Sequence, residues 1–256
     1  MGKDLSPILQ DWPYEPGRIN VRKIRGADNR IKIQMRVNLG LLQMEAEGRP
    51  DGCRPHNCES LLAYHEARIE NYRLRNGTDL GFLLNQEECR EIREEALQYY
   101  HRYLANFVLE EYEAVARDTQ RNLRALDLCQ RFAEDDEDRF ALEQYRPYIL
   151  MMNARSRALS AMQQGMYRTA LAAVNAALKA IRDFFRRYGE PGAARESAEL
   201  QVLRDLRREI HRHMPEDPVR RARRLLRRAI KEERYEDAAR LRDELEALTR
   251  MPDPGP

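Results

Sequence analysis

The stretch LLRRAIKEERYEDAARLRDELEAL, residues 225–248, predicts two short helices joined by a tight turn. Apolar residues recur at spacings of three and four in each half, and each stripe is narrow, as in coiled coils. The polar centre at 233–236 folds the two arms back on each other. We therefore predict an antiparallel hairpin over residues 217–250, with inner stripes formed by Val219, Ala222, Leu226 and Ala229 and by Ala238, Leu241, Leu245 and Leu248.

Further apolar residues, including Leu225, lie beside these inner stripes and predict a second apolar surface. Each arm is near the length at which an isolated helix is marginal in water, and so small a scaffold usually requires a partner. A second hairpin, from another protein or from a second copy, would complete a four-helix bundle. The predicted partner-binding residues are Leu226, Ile230, Tyr235, Glu236, Ala239, Leu241, Arg242, Asp243 and Leu245.

The segment from Ala229 to Leu245 resembles the UVR motif, on the pattern Ala229-x-x-x-Glu233-x-Tyr235-Glu236-x-Ala238-Ala239-x-Leu241-Arg242-Asp243-x-Leu245. That motif occurs in the excision-repair proteins UvrB and UvrC and in the stress-response proteins McsA and ClpC. The resemblance implies a docking hairpin for protein partners and a link to DNA repair or stress response. No nucleotide-binding Gly-x-x-x-x-Gly-Lys-Ser/Thr is present, so the resemblance does not imply excision activity.

Composition bounds the partner classes. The 256 residues carry 45 Lys and Arg against 43 Asp and Glu, so charges of both signs are interspersed and no global field favours nucleic acid. No apolar run is long enough to span a bilayer, and the first residues lack the apolar core of a signal peptide. Four cysteines without a secretion signal indicate reduced thiols. We predict a cytoplasmic, bacterial protein without a membrane partner.

The N-terminal region predicts a small β-sheet. From Ile31 to Val37, apolar residues alternate strictly with polar ones, which is the period of a half-buried strand. Alternation resumes after Gly40, so we predict an antiparallel meander of two or three strands within residues 1–55. Three short strands cannot enclose a core alone, and their apolar face must pack on helices.

The remainder predicts helices, which makes the fold class mainly α. Within residues 56–190 we predict helices over 59–73, 85–110, 112–132, 145–164 and 168–188. A Gly/Pro break precedes a connecting helix over 193–214, and residues 251–256 are predicted to be a disordered tail. The domain prediction is therefore 1–55, 56–190, 193–214 and 217–250, followed by that tail.

Two segments of the helical region echo each other, beginning at Leu109 and Gln164. The second resembles half a tetratricopeptide repeat, on Gly165, Tyr167, Ala170 and Ala177. The copies are about 55 residues apart rather than 34. Residues 56–190 therefore predict either tetratricopeptide-like hairpins or ordinary amphipathic hairpins.

One cluster contains side chains that commonly bind metal ions: Cys53, His56 and Cys58 form C-x-x-H-x-C. A structural zinc site takes four ligands, commonly in two close pairs, and the second pair is missing here. Cys89 and Cys129 lie on predicted helices and are expected to pack as small apolar residues. We therefore predict no metal and no other cofactor, with a polar loop at residues 53–58.

Arginines crowd the first arm of the hairpin, where Arg220, Arg223, Arg224 and Arg227 could contact nucleic acid or an acidic partner. Acidic residues follow at once, which favours an acidic protein. No Gly-x-Ser-x-Gly and no nucleophile–base pair occurs. The sequence thus predicts a non-catalytic adaptor. The alternative is a nucleic-acid-binding accessory factor that also uses the basic strand residues Arg22, Lys23, Arg25, Lys32 and Arg36.

Overall fold

The computed structural model describes residues 4–189, 192–216 and 218–250, which divide into two compact units at Arg207 and Arg208. The predicted tail 251–256 lies outside the described residues, as does Asp217, the first residue of the predicted hairpin. The predicted fold class is confirmed: the described chain is mainly helical, with an N-terminal antiparallel sheet and a C-terminal helical hairpin. No described helix is both long and apolar enough to cross a bilayer.

The described elements follow the chain in a simple order. The strands are β1 Asn20–Arg25, β2 Ile31–Val37 and β3 Gly40–Glu45. The helices are α1 Ser6–Gln10, α2 Leu61–Asn76, α3 Gln86–Val108, α4 Tyr112–Phe132, α5 Asp136–Ala141, α6 Arg146–Gln163, α7 Tyr167–Tyr188, α8 Ala193–Glu196, α9 Ala198–His213, α10 Pro218–Lys231 and α11 Tyr235–Arg250.

The sheet packs one face on the helices and covers the other with its own polar side chains. Strand order is β1-β2-β3, all antiparallel, and buried Ile33 and Met44 pack with Ala105 of α3. Lys32 and Gln34 on the opposite face are also buried, contrary to the half-buried strand expected from alternation. Lys32 pairs with carboxylates, and Gln34 bonds to side chains on both neighbouring strands. Long polar side chains thus cover this face.

Local signals set the ends of the first long helices. The α2 helix ends at Gly77, whose φ of 75° is the left-handed conformation that favours glycine. At the start of α3, the Asn85 side chain accepts a hydrogen bond from the Glu88 backbone N–H at 2.9 Å. The Glu88 carboxylate accepts one from the Asn85 N–H at 3.0 Å, and the two bonds together form a capping box.

Successive helices of the first unit pack as antiparallel neighbours. The α3 helix contacts α4, α4 contacts α6, and α6 contacts α7. Ala158 on α6 and Ala170 and Ala177 on α7 are buried, and these small side chains permit the two helices to approach closely. The predicted helix 193–214 is instead two helices, because Ser197 between them is extended and its hydroxyl accepts a hydrogen bond from the Leu200 N–H at 3.2 Å.

Two buried charge clusters join the sheet, α2, α3 and α4. Arg102 of α3 donates to Asp118 of α4 at 2.7 and 2.8 Å, and both side chains are 1% exposed. The same guanidinium donates to the carbonyls of Glu45 and Gly48 at 3.0 and 2.7 Å. This cluster therefore fixes the end of β3 against the helices. Glu95 of α3 anchors a second cluster.

Buried His65 on α2 predicts a pH-dependent stability. Burial, followed by the nearby Arg68 guanidinium, lowers the pKa of His65 from its ordinary 6.5 to about 4. Arg68 lies 2.9 Å from the imidazole Nδ1, which accepts this contact when the ring is neutral. In the unfolded chain the His65 imidazole therefore binds a proton near pH 6.5, whereas in the folded chain it is protonated only near pH 4. This contribution is complete above pH 6.5 and declines as the pH falls towards 4.

We expect the free energy of unfolding to fall by about 2 kcal/mol between pH 7 and pH 5 through this group. Urea unfolding at both pH values measures the change. His65→Gln keeps an acceptor for Arg68 but does not titrate, so its loss over this interval should be smaller by that amount. Equal losses in both proteins would show that His65 does not titrate as described.

Candidate functional site

The C-terminal hairpin is built by α10, α11 and the turn between them. The two helices pack on each other over their length. At the turn, Arg234 donates to Glu232 at 2.8 Å and to Asp237 at 2.7 Å. Hydrogen bonds from Arg228 and Arg234 lower the pKa of Glu232. The turn is therefore held by a local charge network that sequence patterning did not predict.

The same turn occurs three times in the described chain. Its first residue has a positive φ, of 59, 72 and 56° in chain order. The next residue donates to the carbonyl five positions back at 2.8 to 2.9 Å, and the tyrosine that follows begins the next helix. The three turns are Glu110-Glu111-Tyr112, Gly165-Met166-Tyr167 and Glu233-Arg234-Tyr235.

The three turn tyrosines differ in how they are covered. Tyr112 makes a ring contact with Phe107 at 5.8 Å and Tyr167 is half-buried. Tyr235 has the same backbone setting but is 71% exposed. Packing within the chain therefore covers part of this tyrosine in the first two hairpins and leaves most of it open to solvent in the third.

The predicted inner stripes face inwards. Ala222 and Ala229 are buried, at 2% and 0% exposure, which permits close helix approach. The other stripe residues remain partly accessible, and these are Val219, Leu226, Ala238, Leu241, Leu245 and Leu248. The leucines of both stripes are therefore only partly shielded from solvent within the hairpin.

An exposed patch, defined by Ile230, Tyr235 and Ala239, flanks the turn. Ile230 is 55% exposed, Tyr235 is 71% exposed, and Ala239 is exposed one helical turn after Tyr235. Tyr235 and Ala239 share a helix face at a spacing of four. Of the other predicted partner-binding residues, Leu226, Leu241 and Leu245 are half-buried, whereas Glu236, Arg242 and Asp243 are exposed.

The predicted arginine contacts lie on α10. Arg223 and Arg227 are exposed and, at a spacing of four, share a helix face. Arg224 pairs with Glu216 at 2.8 Å, and hydrogen bonds from Arg224 lower the pKa of Glu216. The Arg220 side chain lies outside what the structure describes. The basic surface is thus already partly neutralised by acids of the same unit.

The basic strand residues are engaged within their own unit. Arg22 lies over the Trp12 ring at 4.2 Å, and Lys23 pairs with Glu111. The remaining members contact acidic, amide or backbone oxygens, namely Arg25, Lys32 and Arg36. These contacts give the residues structural roles in the sheet.

The C-x-x-H-x-C segment forms a loop with a short 3₁₀ turn at Pro55–Asn57. Cys53 is exposed, Cys58 is half-buried, and the His56 ring stacks on Tyr64 at a centroid distance of 4.0 Å. Among the residues that the structure describes, no three His, Cys, Asp or Glu side chains are placed to hold a metal ion. Cys89 and Cys129 are buried in the helical core, where they pack as apolar residues.

A comparison with family models gives a match to the C-terminal hairpin. The UvrB/uvrC motif (UVR) matches residues 216–249, which confirms the resemblance inferred from residues 229–245. The match covers a short C-terminal part of the chain. No curated protein and no solved structure matched. The tetratricopeptide-like interpretation of residues 56–190 therefore remains a prediction.

Proposed function

We propose that this chain is a non-catalytic adaptor that docks a protein partner through the α10–α11 hairpin. The observation that carries the proposal is Tyr235, which is 71% exposed in a turn whose two counterpart tyrosines are half-buried. The UVR match to residues 216–249 supports a docking role for this hairpin. The partner is a protein with a matching hairpin, or a second copy, in a bacterial cytoplasm. Excision repair and stress response are the processes in which to seek it.

The free energies of burial and of association favour a four-helix bundle over docking through the exposed patch alone. Full burial of a large apolar side chain contributes about 1.5–3 kcal/mol relative to full exposure, and Ile230 and Tyr235 are already partly buried, so together they supply at most about 6 kcal/mol. Lost translational and rotational freedom on association costs about 4–15 kcal/mol. The accessible parts of Leu225, Leu241 and Leu245 must therefore also be buried. A second hairpin laid along the first would bury all of them.

Charge would orient that second hairpin. The α10 helix contains six arginines and one lysine without an acidic residue, whereas α11 contains five acidic residues and three arginines. A partner whose acidic arm lies against α10 and whose basic arm lies against α11 satisfies both helices. The opposite arrangement juxtaposes like charges, which provides partner specificity.

We expect the double change Ile230→Glu and Tyr235→Glu to weaken partner capture at least a hundredfold. Both side chains already lie at the surface, so the hairpin should keep its helical circular dichroism. Capture is measured with the immobilised full-length chain and partner-cell extract, and self-association is measured by sedimentation. The interior variant Leu241→Asp with Leu245→Asp should also abolish capture.

The matched control is Leu74→Glu, since Leu74 on α2 is likewise an exposed large apolar residue, at 74%. This variant should capture as the parent does. Deletion of residues 217–256 should remove capture and leave the first unit folded. Undiminished capture by the Ile230/Tyr235 variant would place the docking surface elsewhere.

Salt separates this proposal from a nucleic-acid-binding accessory role, which the six arginines of α10 favour. Six phosphate contacts would lose about a thousandfold in affinity between 50 and 200 mM salt. An apolar hairpin contact should change by less than about tenfold over that range. A steep decline with salt, together with binding to short DNA or RNA duplexes, would favour the nucleic-acid role.

A further inference from the structure

A cavity of 530 Å³ lies within the first unit, between α3, α4, α6 and the segment that joins α5 to α6. Its volume falls in the range of small-molecule sites, which is about 300–1,000 Å³. Leu97 and Tyr145 line it and are each 54% exposed, so the cavity opens to solvent. Deeper walls are apolar and include Leu126 and Ile149.

Four tyrosines give the cavity its chemistry: Tyr100, Tyr103, Tyr145 and Tyr148. The Tyr100 ring meets Tyr103 edge-on at a centroid distance of 5.4 Å and lies 6.3 Å from the ring of Tyr148. Burial, and then the neighbouring Tyr100, raise the pKa of Tyr148. The Tyr148 phenol therefore stays protonated at neutral pH, as a hydrogen-bond donor beside aromatic faces.

Charge narrows the ligand class. Among the described residues that line the cavity, Arg93 alone is ionised. Its Nη1 donates to Asp138, which is buried and does not line the cavity. A guanidinium carries five N–H donors in a planar fork, so this bond leaves capacity for a further anionic group. A cationic ligand would meet Arg93 without a lining carboxylate to compensate.

We propose that this cavity binds a small planar aromatic molecule that carries a single anionic group. The aromatic body lies against the tyrosine rings, and the anion lies towards Arg93 and the phenol hydroxyls. The site is independent of the hairpin, so the two proposals stand or fall separately.

Two matched fluorescent probes test the site on the full-length chain. Anilinonaphthalenesulfonate has the proposed aromatic body and one anionic group, and phenylnaphthylamine is its uncharged counterpart. We expect saturable 1:1 binding of the sulfonate in the micromolar range and weaker binding of the neutral probe. Ala141→Trp places an indole against the cavity wall and should weaken both probes at least tenfold.

Controls separate the cavity from general surface adsorption. Leu80→Trp adds the same indole at a residue that is 79% exposed and does not line the cavity, so it should leave binding unchanged. Arg93→Gln should weaken the sulfonate about tenfold more than it weakens the neutral probe. Circular dichroism verifies that each variant is folded.

Three results would overturn the proposal. These are binding without saturation, equal binding by Ala141→Trp and Leu80→Trp, and equal effects of Arg93→Gln on the two probes. Either of the first two results would show that the cavity does not bind the probes. The third would show that the cavity does not prefer an anionic ligand.

Discussion

Replacing Asp118 with alanine should lower the free energy of unfolding of the first unit by about 3–5 kcal/mol, because the change leaves a buried charge without its partner. Asp118 accepts hydrogen bonds from Arg102 at 2.7 and 2.8 Å, and both residues are fully buried. Arg117 also donates to this carboxylate at 3.0 Å. Alanine removes every one of these acceptors while the Arg102 guanidinium stays in the interior.

Chemical denaturation measures this loss, with Trp12 as the probe. Trp12 is the one tryptophan of the sequence and is buried against the sheet, so its fluorescence reports the first unit. The matched control is Glu94→Ala, which breaks an ion pair with Arg90 whose side chains are 63% and 47% exposed. Exposed pairs contribute about 0–1 kcal/mol. Similar losses in the two variants would show that the buried pair carries no special weight.

A double variant separates loss of the pair from the cost of an orphaned charge. Arg102→Met with Asp118→Leu replaces both charges by apolar side chains and should recover much of the stability. Recovery should be incomplete, since the Glu45 and Gly48 carbonyls lose the Arg102 N–H groups as well. Each buried carbonyl left without a donor costs about 1–3 kcal/mol.

The burial of charged residues such as Arg102 and Asp118 could not be predicted from the sequence. The ends of α2 and α3 were predictable, since Gly77 and the Asn85 capping box act through neighbours within four residues. The buried face of α3 was not. It includes Glu95, Arg102 and Asn106, whose burial depends on partners in distant elements. Apolar periodicity cannot identify a buried charge, because the pattern carries no information about which distant group neutralises it.

The candidate site likewise includes features that the sequence predicted and features that it did not. Spacings of three and four predicted the inner stripes of the hairpin, because helical period alone decides which residues share a face. The sequence echo from Leu109 and Gln164 already aligned Tyr112 with Tyr167, whereas the recurrence of the same turn at Tyr235 emerged only from backbone geometry, since glycine begins one turn and glutamate the other two. The tyrosine cavity was not predictable, because several separate elements contribute its walls.

Replacing Glu95 with alanine should be as damaging as the change at Asp118, at about 3–5 kcal/mol, and should act on the start of α2. The first four N–H groups of a helix have no partner within it. Glu95 accepts hydrogen bonds from the Leu61 and Leu62 N–H groups at 2.7 and 3.3 Å. The Ser60 hydroxyl serves the next N–H. Without this carboxylate, two of these donors lose their acceptor.

Glu95→Ala also removes the negative charge that lies between the guanidinium groups of Arg49 and Arg121, which then repel each other. Glu95 is 0% exposed and pairs with Arg49 at 3.0 Å and with Arg121. Glu95→Gln keeps the shape but offers one acceptor oxygen, so it can accept from only one of the two helix N–H groups, which donate to different carboxylate oxygens in the parent. It also removes the negative charge between the two guanidinium groups. We therefore expect Glu95→Gln to preserve part of the α2 start and to recover only part of the lost stability.

Hydrogen exchange at the Leu61 and Leu62 amides distinguishes the two contributions. Exchange should accelerate at both amides in Glu95→Ala and at only one of them in Glu95→Gln, while denaturation shows a loss in both variants. Glu66→Ala is the control, since its partner Arg124 also joins α2 to α4 but with side chains 36% and 54% exposed. Its loss should stay below about 1 kcal/mol. Unchanged exchange in Glu95→Ala would mean that α2 starts without this carboxylate, and its stability effect would then belong to the arginines alone.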